Sequence, residues 1–284
     1  MPWLFSRSEN DAPENHLYFG VELEFAVAHE NYTASYKRSL PPWITSDYDC
    51  SIHRYADAGI EWRFHPATWL WWCENRRLVK RLLRSLVKLG AESNTDCCCG
   101  LHIHFSNVLN QEHLLNIMQF VYSQPTAMQA LSRRDNDSMS EYSHLDVYSG
   151  GVWVYDDTGA PISSHEQRCA GCRMEISQPI HLRRHDVDIR LAISQDPPSD
   201  HYQAVNITPH GTVEVRIFAG TLDTNEFYGS LGFVKTLIDY TATGRGYNPD
   251  TDCSVAQYRH WLHHVSAPAV KHIITQQLGR VERV

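Results

Sequence analysis

Apolar and polar residues alternate with the period of a β-strand in four segments of the chain. These segments are residues 19–25, 59–64, 99–106 and 212–218. Because successive side chains of a strand point to opposite faces, each segment has one apolar and one polar face. A fifth alternating run, 202–207, precedes the last one across Pro209-His210-Gly211, which predicts a β-hairpin. A short strand is also expected to begin at Trp43.

Elsewhere, apolar residues recur at helical spacing. We predict helices over residues 69–89, 111–123, 126–133, 225–243, 255–265 and 269–278. Residues 31–42, which include Pro41-Pro42, are expected to form a loop. Hairpin strands mixed with helices, without a regular series of parallel crossovers, are typical of an α+β fold with a mostly antiparallel sheet.

The composition is that of a globular protein. The chain has 284 residues, of which 42% are hydrophobic, and this is enough for one large core. Residues 1–16 are polar and are expected to form an N-terminal arm, and residues 17–284 a single domain. The regular patterns weaken at 143–198, which we interpret as an insertion. No segment has the apolar length of a membrane span or the apolar core of a signal peptide, so we expect a cytoplasmic protein.

The charge of the chain bears on its partners. The formal net charge is -8, which disfavours nucleic acid because phosphate neutralisation needs clustered Lys and Arg. The one concentrated basic run, residues 76–84, lies within the predicted helix 69–89, and we interpret its charged side as a solvated face, with a binding patch as the alternative. A small anionic ligand would therefore be held by a metal ion or by a few well-placed cations.

The chain contains eight cysteines and 17 histidines. Without a secretion signal, cysteines are expected to be thiols or metal ligands rather than disulfides. Cys169 and Cys172 form a C-x-x-C pair within the insertion and are candidate ligands of a structural zinc ion, although a zinc site needs two further ligands. Free thiols in a turn are the alternative. If a zinc ion is bound, we expect it to order the insertion and to take no part in catalysis.

The polar faces of the four strands carry groups that can bind metal ions and anions. They are Glu22 and Glu24, Glu61 and Arg63, His102 and His104, and Glu214 and Arg216. If the strands share a sheet, these groups line one face, which is unfavourable unless cations lie between the carboxylates. Oxygen ligands with one or two imidazoles suit Mg²⁺ or Mn²⁺ better than a structural zinc. Arg216, two residues from Glu214, can either pair with that acid or contact a phosphate.

These residues carry a resemblance to a known family. The pieces are FGVELEF at 19–25, GIEWRFHP at 59–66, CGLHIHFS at 99–106 and YQAVNITPHGTVEVRIFAGTLD at 202–223. In this order they resemble the motifs of the amidoligase family, whose fold is similar to that of glutamine synthetase and glutamate–cysteine ligase. The resemblance implies a curved, mostly antiparallel sheet with packed helices. It also implies an ATP-dependent carboxylate–amine ligase that forms an amide or peptide-like bond through an acyl phosphate.

The resemblance further implies roles for individual residues. Glu24 and Glu61 would hold one divalent ion, and the ligands of the other would be Glu22, His102 and Glu214. His104 would contact the phosphates of ATP, and Arg216 would neutralise the transferring phosphoryl group, since phosphoryl transfer depends mainly on positioning and counter-charge. The implied catalytic residues are Arg216, Glu61 and His104. The implied nucleotide-binding residues are His104, Arg216, Arg63, Arg133 and Arg134. The substrates would be a small-molecule or peptide carboxylate and an amine.

Two positions depart from the family pattern. Asp49-Cys50-Ser51 stands where the family often has Asp-Gly-Ser, and Gln203 stands where an Arg commonly precedes Ala-Val-Asn. The second departure removes one expected contact to a phosphate or a substrate carboxylate. Arg133 and Arg134 lie at the end of a predicted helix, where the family has an Arg-containing segment, and are candidates for a replacement cation.

Two other classes of protein remain open at this stage. In a cupin-like metal protein, His102-x-His104 and a distant Glu would bind a metal inside a barrel, with a third His at a strand end. A non-catalytic binding protein would retain the fold without the reaction. The oligomeric state also stays open, because enzymes of the synthetase-like fold can build sites between subunits.

Overall fold

A computed structural model describes residues 17–52, 57–93, 99–106, 109–134, 145, 202–207, 211–242 and 254–264 of the chain. Six strands form one sheet in the order β2-β3-β1-β4-β6-β5, and each neighbouring pair is antiparallel. The strands are β1 (Tyr18–Ala28), β2 (Ile44–Tyr48), β3 (Asp57–Thr68), β4 (Gly100–Ser106), β5 (Val205–Asn206) and β6 (Thr212–Ala219). The α+β class and the antiparallel sheet are confirmed, and β5 and β6 form the predicted hairpin.

Seven helices accompany the sheet within the described residues. They are α1 (Ala34–Arg38), α2 (Trp69–Glu74), α3 (Arg76–Lys88), α4 (Gln111–Ser123), α5 (Pro125–Ser132), α6 (Thr224–Thr241) and α7 (Val255–His264). Helix α5 begins at the proline, which favours the first helical position because its missing N–H would be unpaired there anyway. No helix among these residues is long and apolar enough to cross a membrane.

Two details differ from the sequence prediction. The predicted helix 69–89 is two helices, because Asn75 leaves helical geometry and its side-chain amide donates to the carbonyl of Trp71. Asparagine competes in this way with the helical hydrogen-bond pattern. The predicted loop 31–42 contains the short helix α1.

Several predicted features lie outside the described residues. They are the N-terminal arm 1–16, almost all of the insertion 143–198, the helix 269–278, and Cys169 and Cys172. Among the described cysteines, Cys50 and Cys73 are exposed free thiols, and Cys99 is buried.

One face of the sheet is apolar and covered by helices. Val21, Leu23 and Phe25 of β1 are at most 1% exposed. Trp72 of α2 packs between Phe64 of β3 and Phe227 of α6, with ring-centroid distances of 5.6 and 5.9 Å. Burial of such large apolar side chains supplies most of the stabilisation of a domain of this kind. The alternating partners of these residues are thereby directed to the opposite face.

The antiparallel registers align the polar residues of that opposite face. Glu22 lies across from Arg63 on one side and from His102 on the other. The remaining aligned pairs are Glu24 with Glu61 and His104 with Glu214. The β4–β6 pairing shifts register between Leu101 and Ile103, so His102 has no directly opposite residue on β6. Bulges of this kind redirect a side chain.

Candidate metal site

Six carboxylate and imidazole side chains predicted from the strand pattern come together on the polar face of the sheet. Among them, Glu24, His102 and Glu214 are at most 7% exposed. The others, Glu22, Glu61 and His104, are half-buried. Acids are seldom buried without a partner, so a cluster of this kind needs compensating positive charge.

The two imidazoles lie between the carboxylates. His102 Nδ1 is 3.5 Å from an oxygen of Glu22 and 3.5 Å from an oxygen of Glu214, while its Nε2 is 3.6 Å from Glu24. His104 Nε2 is 3.3 Å from Glu22 and 3.7 Å from Glu214. His102 Nδ1 and His104 Nε2 are both buried, and neither makes a hydrogen bond of normal geometry within the described residues. Buried ring nitrogens that face carboxylate oxygens in this way are suitable metal ligands.

The potential ligand atoms fall into two groups, in each of which they lie within 4.8 Å of one another. The imidazole group is Glu22, His104 and Glu214, and the carboxylate group is Glu24, Asp49 and Glu61. Each group offers three ligands, a number that hard divalent cations complete with water or with phosphate oxygens. His102 faces acids of both groups. The resemblance implied His102 as a metal ligand and His104 as a phosphate contact. In the structure both imidazoles lie within 3.7 Å of Glu22 and of Glu214, so either one is placed to share a cation with these two acids.

Asp49 is the member of the site that sequence reasoning missed. It follows β2, and its backbone N–H donates to the carbonyl of Gly59 at 2.9 Å. Its side chain accepts from the backbone N–H and the hydroxyl of Ser51, at 2.8 and 2.7 Å. A side chain at Gly59 would overlap the Asp49 carbonyl and Ile52, so this glycine lets the turn close against β3 near Glu61. In the sequence, Asp49-Cys50-Ser51 stands out only as a departure from the family's Asp-Gly-Ser, because Asp and Ser are common in turns without any role as ligands.

The imidazole group balances its own charge. Burial alone raises the pKa of Glu22, but the close approach of the His102 and His104 imidazoles outweighs this effect, and the net pKa of Glu22 lies far below its ordinary value. Burial also opposes ionisation of Glu214, yet His102, Arg216 and His104 lower its pKa overall. Burial lowers the pKa of His104, while Glu22 and Glu214 raise it above its ordinary value.

The carboxylate group has less compensation. Burial and the nearby charge of Glu22 raise the pKa of Glu61, and Arg63 offsets only part of this effect. Arg63 pairs with Glu61 and also lies 3.2 Å from Asp47, with 43% of its side chain exposed at the rim of the site. A divalent cation would supply the positive charge that this group lacks.

Arg216 and Asn206 hold both oxygens of Glu214. Arg216 Nη1 donates to one oxygen at 2.5 Å, and Asn206 Nδ2 donates to the other at 2.9 Å. Arg216 is 6% exposed, and its Nε is buried without a hydrogen-bond partner in the described part of the chain. The ring centroid of Tyr202 is 6.0 Å from the guanidinium carbon. Arg216 therefore pairs with Glu214 through one nitrogen and retains a buried donor for an anion.

Gly100 makes room for the side chains of His102 and Arg134 beside Glu24. A Cβ at this position would overlap the imidazole of His102 and lie 2.8 Å from Arg134 Nη2. The backbone N–H of Gly100 donates to Glu24 at 2.5 Å. Arg134, which is 4% exposed, thus lies close to the site, as expected for a candidate anion-binding residue.

Two further positions from the sequence analysis, the implied nucleotide-binding residue Arg133 and the family departure Gln203, make contacts with neighbouring elements of the fold. Arg133 donates at 2.7 Å to Glu226 of α6 and at 2.7 Å to the carbonyl of Ala219 at the end of β6. Gln203 is 1% exposed and accepts from the hydroxyl of Tyr122 on helix α4. Its side chain therefore faces this helix, away from Glu214 and Arg216.

The topology of the sheet and the comparisons with known proteins bear on the class of protein to which the chain belongs. The described strands form an open sheet with β2 and β5 at its edges, whereas a cupin-like protein needs a closed barrel. No family model matches the chain, and no match to it is found among curated proteins.

Proposed function

We propose that this protein is an ATP-dependent carboxylate–amine ligase of the amidoligase type, with a glutamine synthetase-like fold and two divalent cations, Mg²⁺ or Mn²⁺. The observation that carries the proposal is the convergence of the two ligand groups on one face of an antiparallel sheet. Their acids, apart from Asp49, come from the same motifs that resemble the amidoligases. A cupin-like metal protein is disfavoured because the described sheet is open.

The donor atoms fit the proposed cations. The carboxylate group is entirely oxygen, and the imidazole group adds a single nitrogen ligand to two carboxylates, which suits hard or borderline divalent ions. The imidazole group would hold one such ion and the carboxylate group the other, and the ions would neutralise the charge of the ATP phosphates. His102 would keep the acids of both groups oriented, since it faces Glu22, Glu24 and Glu214.

The reaction proposed for this site has two steps. A substrate carboxylate oxygen attacks the γ-phosphorus of ATP and displaces ADP, which gives an acyl phosphate. The amine nitrogen then attacks the acyl carbon and displaces phosphate, and the released phosphate takes up the proton that the nitrogen loses. Neither step needs a nucleophilic side chain, so the chain's contribution is orientation and counter-charge.

Arg216 is proposed to stabilise the transferring phosphoryl group. Its Nη1 is fixed by Glu214, which directs the remaining guanidinium donors, including the buried Nε, beside the imidazole group. A guanidinium in this position offers a planar fork that matches phosphate geometry. Arg134 and the rim residue Arg63 are the proposed further contacts to the phosphates or to the substrate carboxylate.

Calorimetric titration with a non-hydrolysable ATP analogue tests the nucleotide assignment. We expect binding with Mg²⁺ and little binding without it, because bare triphosphate would meet mostly like charge. Equal affinity under both conditions would overturn the cation-dependent site. Binding of Mn²⁺ without any binding of the analogue would indicate a metal-binding protein of another function.

Arg216→Lys and Arg216→Ala test the reaction. With ATP, Mg²⁺ and a panel of acids and amines, we expect release of ADP and phosphate to fall roughly 10³-fold in the alanine variant. Lysine should restore part of the rate, because it retains the charge and the pair with Glu214 but loses the fork. Since this pair is buried, the alanine variant should also lose on the order of 3 kcal/mol of stability. A lysine variant that folds and turns over normally would show that Arg216 has no catalytic role.

A further inference from the structure

Helix α3 presents an exposed row of five cations. These residues, here called the α3 stripe, are Arg77, Lys80, Arg81, Arg84 and Lys88, and none of them is buried. At 100° per residue they fall within an arc of about 100° and extend for roughly 16 Å along the axis. None of the five makes an ion pair within the described residues.

The stripe lies on the side of the protein opposite the metal site. The buried face of α3, formed by Val79, Leu83 and Leu86, belongs to the same hydrophobic core as Leu23 of β1. That core covers the apolar face of the sheet, whereas the candidate ligands project from the other face. The stripe therefore points away from the core and takes no direct part in the proposed reaction.

The charge pattern of α3 is unfavourable for an isolated helix. The helix holds six cations and no acid over Arg76–Lys88, and four like-charged pairs are four residues apart, at 76/80, 77/81, 80/84 and 84/88. Two of the cations, Arg76 and Arg77, lie in the first turn, where the helix dipole favours acids. Arg76 is held by Asn225 and the ring of Tyr228, so the members of the α3 stripe are the cations left to face solvent.

This concentration contrasts with the rest of the chain. The net charge of the whole sequence is -8, and because it includes the six positive charges of α3, the remaining residues carry -14. A local excess of one sign on a protein of the opposite sign directs a complementary partner to that place.

We propose that the α3 stripe is a docking surface for an acidic helix of a partner protein. Its cations recur about once per helical turn, and carboxylates at positions i, i+4, i+7 and i+11 of a second helix repeat at the same interval. Arginine, which supplies three of the five cations, pairs with carboxylates through two parallel hydrogen bonds. Val87, which is 55% exposed at the edge of the stripe, adds an apolar contact.

A short partner fits this surface better than a nucleic acid or a membrane. Both of these extend beyond the roughly 16 Å of the α3 stripe, and there they would face a protein of net negative charge. An acidic helix of a few turns ends where the cations end.

The test uses the full chain and a fluorescent helical peptide of about fifteen residues, with glutamates at the four matching positions. A peptide with glutamines at those positions is the ligand control. We expect the glutamate peptide to bind and to weaken steeply as salt is raised, because exposed charges are screened. Arg81→Glu should weaken binding about fivefold, and the triple variant Arg77→Glu, Arg81→Glu, Arg84→Glu about a hundredfold.

Arg38→Glu is the matched protein control. Arg38 is an exposed arginine on helix α1 without an ion pair in the described part of the chain, so its reversal changes the net charge equally and should leave the affinity within about twofold. An equal loss in this variant would overturn the docking surface. If a nucleic-acid duplex or anionic vesicles bind more tightly than the glutamate peptide, the proposed class of partner is wrong. If none of these probes binds, the α3 stripe is only a solvated face and the proposal is overturned.

Discussion

The imidazole group and the carboxylate group share one face of the sheet but balance their charge differently. In the imidazole group, His102 and His104 lower the pKa of Glu22, and the same two imidazoles together with Arg216 lower the pKa of Glu214. In the carboxylate group, burial and neighbouring acids raise the pKa of Glu61 despite its pair with Arg63. The first group is thus stable as a set of ions without a metal, whereas the second lacks positive charge until a cation binds.

This difference indicates how one protein can hold two cations with different structural consequences. Ligands that are already ionised and held by hydrogen bonds need little rearrangement when a cation binds. Ligands that repel one another gain more from the charge of the cation. The following predictions test the difference between the two groups, from the largest expected effect to the smallest.

Glu22→Gln and Glu61→Gln should have opposite effects on the stability of the metal-free protein. Both should reduce ligase turnover about 10³-fold, because each removes a proposed cation ligand. In EDTA, however, Glu22→Gln should cost about 1–2 kcal/mol, since it removes an acid whose ionised form is favoured. Glu61→Gln should gain about 0.5–1 kcal/mol, since it removes an acid whose ionised form is disfavoured. Urea unfolding in EDTA measures both changes.

Arg63 should affect the Glu61 measurement little, because in the Glu61→Gln variant it retains its contact with Asp47 and 43% of its side chain is exposed to solvent. Destabilisation of equal size in both variants would show that the two groups do not differ in charge balance.

Gly100→Ala should disturb His102, which lies between the acids of the imidazole group and the carboxylate group. The added methyl would displace His102 and Arg134, and overpacking at a buried position costs about 1–3 kcal/mol. Gly20→Ala is the control, because its Cβ would come no closer than 3.6 Å to any atom of His104 or its other neighbours. Thermal unfolding and Mn²⁺ titration of both variants check this, and an undisturbed Gly100→Ala variant would show that the close approach of His102 is unimportant.

Asp49→Asn tests the ligand that the sequence did not reveal. The amide oxygen of the introduced asparagine can still accept from Ser51, so the turn should persist while one cation binds about 10–100-fold more weakly. Asp47→Asn, two residues away at an exposed position beside Arg63, should leave both cations unaffected. Titration with Mn²⁺ monitored by electron paramagnetic resonance separates the two variants, and equal effects would remove Asp49 from the carboxylate group.

The stabilising effect of His104 in the metal-free protein should depend on pH. Its pKa is raised in the folded state above the ordinary value of 6.5, so its contribution is complete below about pH 6.5 and is lost as pH rises through the folded-state pKa. The difference in unfolding free energy between the parent and His104→Gln in EDTA, on the order of 1 kcal/mol, should therefore shrink from about pH 6 to about pH 9. In Mn²⁺ the trend should reverse, because the cation competes with the proton. A difference that grows with pH in EDTA would contradict the charge balance of the imidazole group.

Strand alternation predicted the sheet and most of the candidate site. Because successive side chains of a strand point to opposite faces, the same period that identifies the buried face also identifies the polar face. Glu22 and Glu214 could be assigned to a common face on this basis, although the order of the strands could not. Asp49 was missed because it lies in a turn, where the side-chain direction depends on the path of the chain rather than on a period. The contacts of Arg133 with Ala219 and Glu226 likewise depend on how β6 and α6 meet, which no local pattern encodes.

The central claim is that the two groups each hold one divalent cation. A crystal soaked with Mn²⁺ and a non-hydrolysable ATP analogue, with diffraction recorded at the manganese absorption edge, tests it directly. We predict two anomalous peaks, one among Glu24, Asp49 and Glu61, and one among Glu22, Glu214 and an imidazole of β4, with analogue phosphate oxygens between them. A single peak, or peaks away from these side chains, would contradict the claim.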